Sequence, residues 1–144
     1  MNIKGKTALV TGGAVRIGKA ITLGLAKAGA NVVINYNSNA EEALNTAQEA
    51  EAFGVKAMIV QANIADLEQD KCMFAEIHEK MGPVDILVNS ASPFFTTPIP
   101  SEDFTAWHIV TGVLVNGAFY VSNLAAKDML TKKEGAIKIG RAHV

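Results

Sequence analysis

Several residue types are scarce in this 144-residue sequence, and each scarcity excludes a class of protein. A single cysteine excludes an internal disulfide, which fits a reducing, cytoplasmic location. With 13 basic and 14 acidic residues, the sequence has no basic excess that would point to a nucleic-acid partner. One cysteine and three scattered histidines offer no metal-ligand spacing. We therefore expect no bound metal and no nucleic-acid partner.

Long hydrophobic runs are also missing. The longest candidate, residues 14–30, is interrupted by Arg16, Lys19 and Lys27, and does not reach the ~18 apolar residues of a membrane span. The amino terminus lacks the apolar stretch of a signal peptide. We therefore expect a cytoplasmic protein without a membrane partner. Hydrophobic residues still make up 49% of the sequence, which is enough for the buried core of one domain.

What the sequence does contain is an alternation of short apolar runs and helical patterns. Apolar runs, several of them rich in β-branched residues, predict five strands. The predicted strands cover residues 7–10, 31–36, 55–60 and 84–88, and a fifth begins at residues 135–137. Strands joined by helices form a parallel sheet with helices on both faces. The sequence thus predicts an α/β, doubly wound parallel sheet, a three-layer αβα Rossmann fold that is incomplete at its C-terminal end.

Five helical patterns fill the gaps between the strands. The first carries Ile17, Ile21, Leu25 and Ala28 at helical spacing, which predicts one buried apolar stripe. Caps and glycine stops set the bounds of the remaining helices. These cover residues 40–53, a helix from the Asp66 N-cap to Met81, a helix capped by Ser101, and a long stretch over residues 110–132.

The first predicted strand leads into a glycine-rich turn, residues 11–18, with the sequence TGGAVRIG. A dinucleotide pyrophosphate needs free N–H groups at a helix N-terminus and little steric obstruction, which glycines supply. The turn resembles the T-G-x-x-x-G-x-G motif of the short-chain dehydrogenase/reductase family, with Arg16 where the family usually has its middle glycine. The resemblance implies that Gly12, Arg16, Ile17 and Gly18 bind the cofactor. A glycine-rich turn that binds no ligand is the alternative.

The residues after the second strand bear on the choice of cofactor. NAD-binding folds of this kind carry an Asp or Glu there for the ribose 2′-OH. Residues 35–38 read NYNS instead, and the next carboxylate is Glu41. Without a carboxylate at this place, a 2′-phosphate is not repelled. Arg16 offers this phosphate a charged, planar partner. The alternative is that Arg16 is a solvated surface residue. Members of the family with a basic residue here use NADP. We predict NADP(H) as the cofactor, with Asn37 among its contacts.

Two further segments resemble the family. Asn63 and Ile64 follow the third strand, where the family usually has an Asp-Val or Asp-Ile pair against the adenine. Residues 84–92, VDILVNSAS, resemble the family's fourth strand and N-N-A-G motif, which they match at Asn89 and Ala91. The resemblance implies that Asn63 and Ile64 contact adenine, that Asn89 ties strands together, and that the Ala91 backbone lines the ribose. Pteridine-reductase-like members of the family are similar at two positions: they too have an arginine in the glycine-rich turn, and a serine in place of the last glycine of the N-N-A-G motif, here Ser92.

The long helical stretch departs from the family. When the family pattern V-N-x-x-G-x-F is aligned on Gly117 and Phe119, its catalytic Asn falls on Leu114, which cannot hold a water for proton relay. Asn116 is a second candidate for that role, although two residues along an α-helix turn a side chain by ~200°, away from the site. Some enoyl- and dienoyl-reducing members of the family have a similar L-x-N-G pattern in this helix. The substrate class is therefore a carbonyl or an activated C=C bond.

The family's catalytic Ser, Tyr and Lys do not occur in this sequence. Neither Tyr36 nor Tyr120 is followed by a lysine four residues later, and the serine would lie past the fifth strand. Residues 138–144 break the family pattern, and most of them can be encoded by codons that resemble the start of a common DNA-sequencing adapter. We predict a partial NADP-binding domain over residues 1–137 and a non-native tail, in which His143 has no role.

These observations predict what the parent protein does. The resemblance implies an NADP(H)-dependent oxidoreductase that acts on a small-molecule substrate, and this chain, without the catalytic residues, is expected to be inactive. Family members are often dimers or tetramers, which implies a homo-oligomeric parent. The alternative is a non-catalytic dinucleotide-binding protein or sensor.

Overall fold

The computed structural model describes residues 1–96 and 98–139. Strands and helices alternate in the predicted order. In chain order they are β1 (Thr7–Thr11), α1 (Arg16–Lys27), β2 (Asn31–Tyr36), α2 (Ala40–Glu51), β3 (Ala57–Gln61), α3 (Leu67–Met81), β4 (Ile86–Asn89), α4 (Thr105–Thr111), a π-helical segment (Gly112–Gly117), α5 (Ala118–Lys132) and β5 (Ala136–Ile139).

The strands form one parallel sheet in the order β3-β2-β1-β4-β5. The first strand lies in the middle, where Leu9 pairs with Val33 on one side and with Leu87 on the other. Every residue of β1 is buried, as its continuous apolar run predicts for a central parallel strand. The chain reverses direction along the sheet between β3 and β4, which confirms the doubly wound Rossmann architecture.

Side chains that alternate along the strands build two core layers, one on each face of the sheet. On one face, α3 and α5 cover Leu9, Val33 and Leu87, with Met73 and Val121 among the packed helix residues. On the other face, α1 and α2 present mainly small side chains to the strands, Ala26, Ala43, Ala47 and Ala50. The small residues let α1 and α2 lie close to the sheet, which completes the three-layer αβα arrangement.

The apolar stripe predicted for α1 is only partly correct. The fully buried side of the helix consists of Gly18, Thr22 and Ala26, while Ile17 is 44% exposed and Ala28 is exposed. The reason is that the helix starts against the glycine turn, which only small residues can approach. Ile21 and Leu25, from the predicted stripe, pack at the margin of the core.

The ends of several elements also differ from the predictions. The strands β3 and β4 begin two residues later than predicted, and Ser101 does not cap a helix, since α4 begins at Thr105 after Phe104. The fifth strand continues through Lys138 and Ile139, which pair with Val88 and Asn89. These two residues of the predicted tail therefore belong to the sheet. Residues 140–144, including His143, lie outside the described residues, so the origin of the tail stays a prediction.

The long helical stretch begins earlier than predicted and runs from Thr105 to Lys132, with the π-helical segment inside it. Over 18 of its residues the mean hydropathy is 1.5, so by length and composition this helix could cross a membrane. The expectation that no stretch reaches that length is corrected, because hydropathy averaged over a helix tolerates isolated polar residues. One side of the helix, with Val121, Ala125 and Met129, packs into the core.

Candidate functional site

A cleft of about 1130 Å³ opens at the carboxyl ends of the strands. It is bounded by the β1–α1 turn, the segments after β2, β3 and β4, the start of the π-helical segment, and the end of β5. Clefts at this edge, next to the point where the strand order reverses, are where open α/β sheets bind ligands. The predicted cofactor residues lie here together: Gly12, Arg16, Ile17, Gly18, Asn37, Asn63, Ile64, Asn89 and Ala91.

Two glycines of the β1–α1 turn are required by the local geometry. Gly12 has φ +62°, and a Cβ there would lie 2.8 Å from the Cα of Ala91. At Gly18 a Cβ would lie 2.0 Å from the carbonyl oxygen of Gly12. Close approach of the turn to both α1 and the segment after β4 therefore depends on the absence of side chains at these positions.

Two threonine hydroxyls form hydrogen bonds to backbone carbonyls of the turn. Thr22 Oγ1 donates to the carbonyl oxygen of Gly18 at 2.9 Å, and Thr46 Oγ1 donates to that of Ala14 at 2.9 Å. Both hydroxyls are buried, so these bonds fix the turn rather than contact solvent. No side chain of the described residues caps the N-terminus of α1, so its first N–H groups, which a helix leaves without intrahelical partners, are free to bind a ligand.

Arg16 stands at the mouth of the cleft in a left-handed backbone conformation, with φ +51°. This conformation accounts for the glycine that the family usually has here. Its side chain is exposed and forms no ion pair with any residue of 1–96 or 98–139. The exposed residues Asn37 and Ser38 line the same cleft. Among the described residues that line the cleft there is no carboxylate, whereas Arg16 and Lys138 are both basic.

The segment after β3 forms the adjoining wall. Ile64 is 4% exposed, and its carbonyl oxygen and side chain lie so close to Gly117 that a Cβ there would come within 2.8 Å. Asn63 is exposed, its N–H donates to Gln69 Oε1 at 2.8 Å, and its own Oδ1 accepts from Ala65 N–H at 3.1 Å. The side-chain nitrogen Nδ2 of Asn63 has no partner within residues 1–96 and 98–139, so it can donate to a ligand.

The segment after β4 is tied directly to the turn. Thr11 Oγ1 accepts from the N–H groups of Ser90 at 3.0 Å and Ala91 at 3.2 Å, which brings this segment to the floor of the cleft. Asn89 donates to Ser122 Oγ at 3.0 Å and so joins β4 to α5. Its Oδ1 is buried and has no partner within the described part of the chain.

The π-helical segment supplies the last wall and separates the two candidates for the missing catalytic asparagine. Leu114 lines the cleft and is 45% exposed, whereas Asn116 is exposed elsewhere and does not line it. The rotation expected for an α-helix does not apply, because the segment is π-helical, yet Asn116 still lies outside the cleft. This end of the cleft is therefore apolar, with Val113 and Ala118 beside Leu114.

Several cleft residues were not predicted from the sequence. Asn35 is the clearest case, because its side chain is 2% exposed and contacts two walls of the cleft. A polar residue inside the apolar run of β2 was the signal, since a buried amide must find partners. Lys138, assigned to the tail, and Tyr36, which ends β2 and was given no binding role, also line the cleft.

A family model described as short chain dehydrogenase matches residues 6–139. Over 132 residues the chain is 36% identical to a 3-oxoacyl-(acyl-carrier-protein) reductase FabG from Staphylococcus aureus, covering 92% of this chain and 54% of that protein. The chain thus spans about half the length of the curated relatives it matches.

Solved structures agree with this result. Acetoin dehydrogenase YohF from Salmonella typhimurium matches with a TM-score of 0.84 and 34% identity, over 92% of this chain and 53% of that one. A short chain dehydrogenase from Burkholderia cenocepacia, solved in complex with NADP, matches with a TM-score of 0.83 and 34% identity, over 89% of this chain and 52% of that one.

Proposed function

This chain belongs to the short chain dehydrogenase family, and we propose that it forms the NADP(H)-binding part of an oxidoreductase. The whole enzyme would transfer hydride between the nicotinamide and a carbonyl or activated C=C substrate. The observation that carries this proposal is the cleft itself. It combines a glycine turn shaped for close approach, a free helix N-terminus and an exposed arginine, with no carboxylate among its described lining residues.

The preference for NADP(H) over NAD(H) follows from charge. An acidic residue after β2 would accept a hydrogen bond from a ribose 2′-OH and repel a 2′-phosphate. Here Asn37 and Ser38 offer neutral hydrogen-bonding groups, and the guanidinium of Arg16 has no competing carboxylate partner among the described residues. The NADP in the Burkholderia cenocepacia relative is in keeping with this choice.

The rest of the cofactor has candidate contacts in the same cleft. Asn63 and Ile64 would hold the adenine, the first N–H groups of α1 the pyrophosphate, and the segment of Asn89 and Ala91 the nicotinamide ribose. The bound cofactor would supply the hydride. Leu114, in the position of the family's catalytic Asn, would give the reacting end of the cleft an apolar wall that excludes water.

Further properties of the parent follow from the same proposal. The substrate would be a small molecule, the full-length protein a cytoplasmic homo-oligomer, and no nucleic acid or membrane would take part. The sequence holds no Tyr-x-x-x-Lys pattern, so these 144 residues would bind the cofactor without turning over substrate. The alternative function is a non-catalytic dinucleotide sensor, and sequencing the source gene past the codon for Ile137 separates the two.

The cofactor proposal is tested by titrating the chain with NADPH and NADH, using the fluorescence of the reduced nicotinamide. We expect tighter binding of NADPH, and we expect Arg16→Ala to weaken NADPH by about tenfold or more while changing NADH little, the size of one charge-assisted hydrogen bond. Lys27→Ala, which removes an exposed positive charge from the far end of α1, is the matched control.

Equal affinities for the two dinucleotides, unchanged in Arg16→Ala, would contradict the assignment of NADP(H). No binding of either dinucleotide to a folded chain would contradict the whole proposal. Binding by the gene's full product without turnover of any carbonyl or C=C substrate would favour the sensor.

A further inference from the structure

Asn35 is a buried polar residue that the proposed cofactor contacts leave unexplained. It follows three apolar residues in β2 and is 2% exposed. Its Oδ1 accepts from the N–H of Gly12 at 3.4 Å, and its Nδ2 donates to the carbonyl oxygen of Ala62 at 3.1 Å. Its backbone oxygen accepts from Gly13 N–H at 3.1 Å. One residue thus binds two different segments.

The two segments lie on either side of the cleft's adenosine half. Gly12 begins the turn whose helix N-terminus faces the pyrophosphate position, and Ala62 directly precedes Asn63 and Ile64, the proposed adenine contacts. Because the carboxyl ends of β1 and β3 are separated by β2, neither segment contacts the other through strand pairing. The amide of Asn35 is a direct connection between them.

We propose that Asn35 is a positioning residue that fixes the distance between the phosphate-binding turn and the adenine-binding segment. This inference rests on the proposed dinucleotide function. A ligand that occupies both positions gains affinity when they are held at the correct separation, because the second contact is then made at high effective concentration. A ligand that occupies one position gains much less.

The same strand provides a matched control. Asn31, at the opposite end of β2, also bonds through its side chain to two segments, one on each side of the strand. Its Oδ1 accepts from Lys56 N–H at 3.0 Å, and its Nδ2 donates to the carbonyl oxygen of Gly5 at 3.3 Å. Asn31→Ala therefore removes the same two kinds of hydrogen bond from the same strand, at the edge of the sheet away from the cleft.

The experiment compares two ligands by calorimetry on the 144-residue chain: NADP⁺, which would occupy both positions, and adenosine, which would occupy the adenine position and has no phosphate to reach the turn or Arg16. We expect Asn35→Ala to raise the Kd for NADP⁺ by about tenfold and that for adenosine by less than about threefold. Asn31→Ala should leave both constants within about twofold of the wild type. Thermal melts of each variant report how much stability was lost.

If Asn35 had a structural role alone, Asn35→Ala would raise the Kd of both ligands by the same factor, or Asn35→Ala and Asn31→Ala would have the same effect on binding. Either result overturns the proposal. If Asn35→Ala does not fold, Asn35→Ser decides by the same ratio of constants. It keeps a neutral polar side chain that is too short to bond Gly12 and Ala62 at once. Failure of the wild type to bind NADP⁺ would count against the proposed function, and is distinguishable because it appears before any substitution is made.

Discussion

Asp70 is the ionisable residue that fits its surroundings least well. Its side chain is completely buried in α3 beside Met73 and Phe74 on the same helix face, and neither carboxyl oxygen has a hydrogen-bond partner within residues 1–96 and 98–139. Burial, and then the negative charge of Asp66, raise the pKa of Asp70 to about 7. The folded protein therefore holds this carboxyl neutral well above the pH at which the unfolded chain ionises it.

The stability of the protein should consequently fall as the pH rises from about 4 to about 7. The folded state keeps the Asp70 proton over this range and the unfolded state has lost it, so the free energy of unfolding decreases by up to ~1.4 kcal/mol per pH unit. Asp70→Asn should remove this dependence and melt above the wild type at pH 8. Melting curves at pH 5 and pH 8 test this pH dependence. Glu51→Gln, which neutralises an exposed carboxylate, is the control. An unchanged slope in Asp70→Asn would show that another group is responsible.

Arg16 combines an unfavourable backbone conformation with a favourable charge, and two substitutions separate them. A non-glycine residue at φ +51° is strained by roughly 1 kcal/mol, which glycine avoids and alanine does not. We expect Arg16→Gly to be more stable than Arg16→Ala by about that amount in urea unfolding, while both lose NADPH affinity equally. Equal stabilities would show that the turn relaxes without cost in either variant.

At the scale of the element, α3 shows how a cap also shapes the site. Asp66 Oδ1 accepts from Glu68 N–H at 2.9 Å and Gln69 N–H at 3.3 Å, as the sequence predicts. These bonds keep the pKa of Asp66 below its usual value, the backbone N–H of Gln69 contributing most. Gln69 in turn accepts from Asn63 N–H, so the cap extends to the wall of the cleft.

Asp66→Ala should therefore lower the free energy of unfolding by about 1 kcal/mol, the usual cost of losing an N-cap. Glu68→Ala, at an exposed position in the first turn whose carboxylate pairs with the exposed Lys71, should change it by no more than about 0.5 kcal/mol. Chemical unfolding measures both. Identical losses would mean that acidic charge near the helix start, rather than the cap geometry, stabilises α3.

The elements also show what can be predicted from this sequence. Apolar runs, the Asp66 cap and the glycine turn are local signals, and they predict the element order, the parallel sheet and the main cleft residues. The buried side of α1 is not local, because it is set by contact of Gly18 with the turn. The π-helical segment and the role of Asn35 likewise depend on contacts with residues distant in sequence.

At the scale of the molecule, β5 is the last strand of the sheet, and no described residue covers its outer edge. All four residues of β5 are exposed, including Ile137 at 39% and Ile139 at 63%. An apolar edge strand with unpaired N–H and carbonyl groups is a template for pairing with another chain.

We expect this chain to self-associate through β5, and Ile139→Lys to reduce the association because a charge on an edge strand opposes pairing. Light scattering as a function of concentration measures the effect. Ile99→Lys makes the same change at a 95% exposed isoleucine in a loop and should have little influence. Equal improvement in both variants would point to general solubility instead of edge pairing.

The central position of β1 has a consequence for the newly synthesised chain. The first strand to leave the ribosome acquires β2 as a neighbour early, but its other neighbour is β4, so Ala8 must wait for Ile86. At the usual speed of translation, this interval is roughly 4 to 15 seconds. During that time one side of a strand that is buried at every residue in the folded protein is unpaired and available to chaperones. The cleft, which needs Thr11 to bind Ala91, cannot form before the interval ends.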